Sequence, residues 1–330
     1  MSLFVTKVAF IFLYLGSLQI QRGSYKTLQG QAQGSTYRIV YEDKKGIDFS
    51  KSVDSLFSLV DQSMSLWNST SLISKINDNH PYGVVDEHFA KVFRATEVVS
   101  KKTKGYFDVT VGPFVKAWGF GKEKTRRVPS MESLDSLKKL VNYKNIRIDK
   151  GKVLKKYPEC QLDFNAIAQG YTVDIISEFL INNGVLNFLV EVGGEVRASG
   201  INAKLETWKV GIENPKNENN LQAIVSLGNK SLATSGSYRK FFIQNGQKYA
   251  HAIDPHQGKP VAHNVLSMTV LANTCAEADA FATAFLVMGL EKAKRNAKKE
   301  KIDFFAIFEQ NNEINTFATE GMKSVIMENN

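Results

Sequence analysis

An α+β fold is predicted by three features of the sequence. Apolar residues recur at three- and four-residue spacing in the early part of the chain, period-two alternation marks much of the later part, and no regular βαβ rhythm joins them. The 330 residues, 43% hydrophobic and 23% charged, are enough for one sizeable core. No repeat shows at periods of about 20 to 50 residues and no Ser, Gln or Pro tract suggests a linker, so one compact body over residues 23–330 is expected behind a leader at 1–22.

The leader rests on Lys7, the apolar run Val8 to Leu15, and Gly16-Ser17-Leu18, which fit a signal-peptide h-region with a short n-region. The run is short for a membrane span, and no Cys follows it to carry a lipid. Export is the expectation, with the protein periplasmic or held at the inner membrane facing the periplasm; the competing reading is a buried strand or helix. A polar stretch, Gln19 to Gln33, separates this run from the first patterned segment.

Gly34 to Tyr41 reads as a strand with Tyr37, Ile39 and Tyr41 on one face. Val53, Leu56, Phe57, Val60 and Met64 then define a helix, followed by a short one capped at Ser69, Thr70 or Ser71 and a third from about Asp86 to Lys104. Gly105 to Gly121 is turn-rich, and Pro129-Ser130 starts a charged, weakly helical segment. Short strands are expected around Ile146, Ile148 and Val153 and at Leu162 to Phe164, then a helix from Ala166 to Asn182. Phe188 to Val196, Thr207 to Ile212 and Gln222 to Leu227 read as strands, Cys275 to Met288 as an Ala-rich helix, and Phe304 to Phe308 with Ile314 to Thr319 as a closing hairpin.

Charge and cysteines exclude some functions. Lys and Arg outnumber Asp and Glu by 42 to 33, partly through six basic residues between Lys292 and Lys301. That run lacks the interleaved aromatics that stack bases, so a solvated helix face is expected rather than a nucleic-acid partner. A basic surface still attracts anionic nucleotides or an acidic membrane. Cys160 and Cys275 form no C-x-x-C pair, which argues against zinc and thioredoxin-like chemistry and for two buried, unpaired thiols.

Three clusters could carry chemistry. Asp279 and Thr283 stand four apart on the Ala-rich helix and share a face, where a carboxylate and a hydroxyl suit a hard cation; a plain polar edge is the alternative. Asp163 to Asp174 runs from a strand end into a helix start, where backbone N–H groups can hold phosphate and a free carbonyl can complete a metal shell; Asp163 could equally be an N-cap. Ala233 to Tyr238 reads as a Thr/Ser/Gly turn that offers donors to an anion, and His251 follows it, either as a general base or as a structural histidine. Neither a G-x-G-x-x-G fingerprint nor a G-K-[ST] loop occurs.

Taken in order, the segments resemble the ApbE family of FAD:protein FMN transferases. They are Gly34-Ser-Thr-Tyr37; Met64-Ser-Leu-Trp67; Gly105-Tyr-Phe-Asp108 through Gly112-Pro113 to Trp118-Gly-Phe120; Asp163 through Gly170-Tyr171 to Asp174; Gly193-Gly-Glu195; Trp208 to Ile212; Thr234-Ser-Gly236; His251 through Asp254-Pro255 to Gly258; and Ala278-Asp279 through Thr283 to Gly289. The resemblance implies a T-fold-like body of mixed sheets packed with helices, acting as one catalytic domain. It also implies Mg2+ held by Asp279, Thr283 and the Ala166 carbonyl beside the diphosphate of FAD. Trp67, Phe107, Asp108, Val109, Asp163 and Gln169 fall on nucleotide-binding positions, Thr234, Ser235 and Gly236 on the turn that neutralises phosphate charge, and His251 on the base. Gln169, Asn165 and Gln33 depart from the residues frequent at those positions. The implied reaction moves FMN from FAD to a Ser or Thr hydroxyl of an acceptor protein, a membrane-associated redox subunit, with release of AMP. Two alternatives share the pocket: a hydrolase that splits FAD into FMN and AMP, and a non-catalytic FAD-binding protein.

Overall fold

The computed structural model describes residues 24–121, 125–238 and 240–327; the apolar run Val8 to Leu15 lies outside them. The frame is an eight-stranded sheet whose spatial order follows the chain: Ser24–Ala32, Ser35–Asp43, Phe188–Val192, Glu195–Ser199, Ser231–Gly236, Val265–Ala272, Asp303–Gln310 and Glu313–Ala318. Every described pairing between neighbours is antiparallel. The helices are inserted between strands rather than alternating with them, which is the α+β organisation.

Alternation along the strands decides what covers each face. In Asp303–Gln310, Phe304 and Ala306 join the main core while Phe305 and Ile307 join a second one. The main core lies against the helices Ala168–Asn182 and Cys275–Met288. The second lies under a three-stranded sheet built from Trp208–Asn214, Asn217–Leu227 and Ile326–Met327. A third, smaller cluster joins Phe114, Trp118 and Leu134 to Phe242 and Ile253.

The helix Cys275–Met288 is apolar on all sides and buried through most of its length, the expected fate of such a helix inside a protein. Its Ala content favours the conformation, the Thr274 side chain caps it by accepting from Glu277 N–H, and Gly289 ends it at φ +72. Its first turn is also held from outside. Asp174, on the helix Ala168–Asn182, accepts from Cys275 N–H and Ala276 N–H at 2.9 Å each and from Arg197 at 2.8 Å. The two helices approach closely at Gly170, where a Cβ would come within 2.4 Å of the Cys275 carbonyl oxygen.

Several segments differ from the sequence expectation. Part of the polar stretch Gln19 to Gln33 is the strand Ser24–Ala32; it is a sheet edge with no fully buried residue, so no strong apolar alternation is needed. The turn-rich Gly105 to Gly121 contains a short helix, Gly112–Ala117, with Pro113 in its first turn. Phe188 to Val196 is a hairpin that reverses at Gly193 and Gly194, with φ of +65 and +103. Leu162 to Phe164 is extended without a strand partner, because the Asn77 side chain takes that role: it donates to the Leu162 carbonyl at 2.8 Å and accepts from Leu162 N–H at 2.7 Å. Thr234 to Gly236 ends a strand rather than forming a turn, paired with Ser267 to Thr269.

Candidate functional site

The helix Ala168–Asn182 starts without a side-chain cap from its own N-cap residue, Ile167. Its early N–H groups need partners from elsewhere. Gly170 N–H donates to Asp279 Oδ2 at 3.3 Å rather than to the Ala166 carbonyl four residues back. The Ala166 carbonyl is thereby left outside the helical ladder, in the turn Asn165 to Ile167. Asp163 does not cap this helix; its Oδ1 accepts from Asn165 N–H at 2.8 Å within the preceding turn.

Around Asp279 the donors are oxygens. Thr283, one turn on, shares a hydrogen bond of 2.9 Å with Ser235 on the neighbouring strand. Thr234 turns the other way and pairs with Thr269 at 2.8 Å. Glu195 is buried nearby, and its Oε2 has no hydrogen-bond partner among the described residues. Burial raises the Asp279 carboxyl to about 7, and it raises Glu195 well above the carboxylate range, where the charge of Asp279 pushes it further. Two buried carboxyls, one of them with an orphaned oxygen, and two hydroxyls fit a hard divalent cation better than any thiol- or imidazole-seeking metal. Gln169 stands beside this group, with its Nε2 2.6 Å from where a Cβ on Gly193 would lie.

A cleft of about 220 Å3 opens on the other side of the turn, lined by residues including Trp67, Lys116, Phe120, Asp163 and Asn165. Trp67 is 61% exposed on its rim. Asp163 faces the cleft, its carboxyl raised by burial, and its N–H is fixed to the Val109 carbonyl at 2.7 Å. Phe107 and Val109 themselves are buried in the main core, so only their backbone is available to a ligand. Asp108 is committed locally: it accepts from Thr110 N–H and Thr110 Oγ1 at 2.8 and 2.6 Å and from Tyr143 N–H at 2.8 Å.

His251 reaches the cleft through Phe120, whose ring is 6.4 Å away edge to face. Its Nδ1 meets the Lys240 carbonyl at 3.1 Å. A carbonyl only accepts, so Nδ1 carries the proton and Nε2 keeps its lone pair. Burial and the charge of Lys240 lower the imidazole below its ordinary range, which keeps it neutral. Lys240 also acts electrostatically on Glu195 and so links the histidine to the carboxyl cluster.

The structure therefore joins Gly170 to Asp279 and Ser235 to Thr283, sets Gln169 beside Glu195, sets Trp67 and Asp163 along one cleft, and connects His251 to that cleft through Phe120; Ala166 lies in the turn that leads into the helix of Gly170. Glu195 and Phe120 were visible only as motif members. A buried acid after Gly-Gly in a strand is the signal that marks the first, and none marks the second.

Fold and site define an α+β protein with an oxygen-donor cluster beside an aromatic-rimmed cleft. The chain belongs to the ApbE family, whose profile matches residues 33–308. It is 34% identical to the FAD:protein FMN transferase of Vibrio cholerae over 305 residues, covering 90% of this chain and 91% of that one. It is 30% identical to the protein of the same name from Escherichia coli K12, over 91% of this chain and 89% of that one. Among solved structures, the flavin transferase ApbE of Vibrio cholerae superposes with a TM-score of 0.84 at 32% identity, over 92% of this chain and 99% of that one. The apo flavinyl transferase ApbE of Pseudomonas stutzeri superposes with a TM-score of 0.85 at 29% identity, over 93% and 98%.

Proposed function

We propose that this protein is an FAD:protein FMN transferase that depends on Mg2+ and uses a Ser or Thr hydroxyl of another protein as acceptor. Similarity to relatives of that name over most of the chain supports the overall activity. The proton chemistry rests on one observation, that Nδ1 of His251 is held by the Lys240 carbonyl and leaves Nε2 free to accept a proton.

In the proposed reaction the acceptor oxygen attacks the FMN phosphorus as His251 Nε2 takes its proton. A new phosphorus–oxygen ester bond forms, the bond to the bridging oxygen breaks, and AMP leaves with that oxygen and its electron pair. Trp67 stacks a planar ring of the nucleotide at the cleft rim, Asp163 orients a polar group along the wall, and Gln169 does so beside the carboxyl cluster. Ser235, with backbone from Thr234 to Gly236, lies beside the diphosphate. Asp279, Thr283 and the Ala166 carbonyl would hold Mg2+, which when bound neutralises charge on the phosphate oxygens.

Export belongs to the same proposal and rests on the apolar run Val8 to Leu15, while an acceptor on a membrane-associated redox subunit rests on the likeness to the ApbE family. Among the described residues, no helix is long and apolar enough to cross a membrane. Chromatography of FAD incubated with the protein and Mg2+ tests the chemistry: AMP should appear only when a protein acceptor is present. AMP and free FMN released at the same rate without acceptor would make the protein a hydrolase, and unchanged FAD in both samples would make it a binding protein.

A further inference from the structure

Glu195 is not among the residues assigned to hold Mg2+ in the proposed reaction, yet its environment demands an explanation. The residue is 7% exposed, and its Oε2 has no hydrogen-bond partner among the described residues. A buried carboxyl oxygen with no hydrogen-bond partner is unfavourable unless a group not present among the described residues meets it.

Its surroundings narrow what that could be. A Cβ on Gly193 would come within 3.2 Å of Glu195 Oε2 and 2.6 Å of Gln169 Nε2, so both atoms border the same space under the Gly193-Gly194 reversal. Gln169 directly precedes Gly170, whose N–H fixes Asp279. Among the neighbouring charges that act on Glu195, Asp279 and Glu191 are negative and Lys240 is positive. Its own backbone N–H acts on the carboxyl, but among the described residues no donor reaches Oε2, and a partner of positive character would suit it.

We propose that Glu195 supplies a second carboxylate to the cation held at Asp279, and that the Gly-Gly reversal exists to bring it there. The inference rests on the Mg2+ reading above. A second carboxylate tightens the hold on a hard cation, because each added negative ligand strengthens the electrostatic attraction. Gly193 suits the reversal because its φ of +65 lies where side-chain-bearing residues are strained.

Mn2+ binding to the full chain, followed by the magnetic resonance signal of the free ion with and without ADP, tests this without any turnover. Glu195→Gln keeps the shape and removes the charge; it should weaken Mn2+ binding at least tenfold and leave the metal-free melting temperature unchanged or higher. Glu195→Asp, which keeps the charge on a shorter arm, should recover part of the affinity. Asp279→Asn should abolish binding. If Glu195→Gln binds Mn2+ like the wild type while Asp279→Asn does not, Glu195 is only a buried acid and the inference fails with the cation site intact. If Asp279→Asn also binds like the wild type, or the wild type binds no Mn2+ even with ADP, the cation reading itself falls and takes the inference with it.

Discussion

Asp279 is enclosed by its own apolar helix, and the loss of water around it raises its carboxyl to about 7. An unfolded Asp gives up its proton at about pH 4, so between there and about 7 the folded state holds a proton the unfolded chain has lost. Metal-free stability should therefore fall as pH rises across that window. A cation needs the carboxylate, so the rise in melting temperature on adding Mg2+ should be small at pH 5.5 and larger at pH 8. An equal rise at both would remove Asp279 from the cation site. His251 has the opposite shift, lowered by burial and Lys240. It stays neutral at and above ordinary imidazole values, and His251→Ala should slow transfer by about 100- to 10,000-fold while FAD still binds. Trp67 is largely exposed, so Trp67→Ala should leave the melting temperature within a degree or two and weaken FAD binding by about five- to tenfold, as lost stacking implies. Flavin fluorescence titration measures that loss.

At the scale of elements, the site depends on how the helices Ala168–Asn182 and Cys275–Met288 meet. Gly170 lets them touch, and Asp174 ties the first turn of the second helix to Arg197 and to the first helix. Gly170→Ala puts a Cβ against the backbone at Cys275 and should cost about 1–3 kcal/mol in denaturant unfolding, with Mg2+ stabilisation lost as Gly170 N–H leaves Asp279. Unchanged Mg2+ stabilisation in that variant would show that helix contact does not set the site. Helices were the legible elements, since spacing such as Val53, Phe57, Val60, Met64 reports the buried face directly. The strand Ser24–Ala32 was not legible, because an edge strand with no fully buried residue has no apolar period to display. Leu162 to Phe164 misled for another reason: a side-chain amide, Asn77, replaced the strand partner that its composition suggested.

Across the whole molecule, one antiparallel sheet carries both the hydroxyl of Ser235 and the carboxyl of Glu195 to one side, where the Ala-rich helix presents Asp279 and Thr283. The i, i+4 spacing of Asp279 and Thr283 was readable in the sequence because a helix is periodic. Their approach to Ser235 and Gly170 was not, since those contacts span 48 and 109 residues and depend on strand order. Asp108 shows the converse: its motif position suggested a ligand contact, but backbone N–H groups at Thr110 and Tyr143 occupy its carboxylate. The central claim joins the cation cluster, the aromatic cleft and His251 into one group-transfer site. Intact mass measurement of a Ser/Thr acceptor protein after incubation with the full chain, FAD and Mg2+ tests that claim most directly. The acceptor should gain one FMN in phosphoester linkage and His251→Ala should nearly abolish the gain; an unlabelled acceptor beside free FMN and AMP would rule out protein transfer.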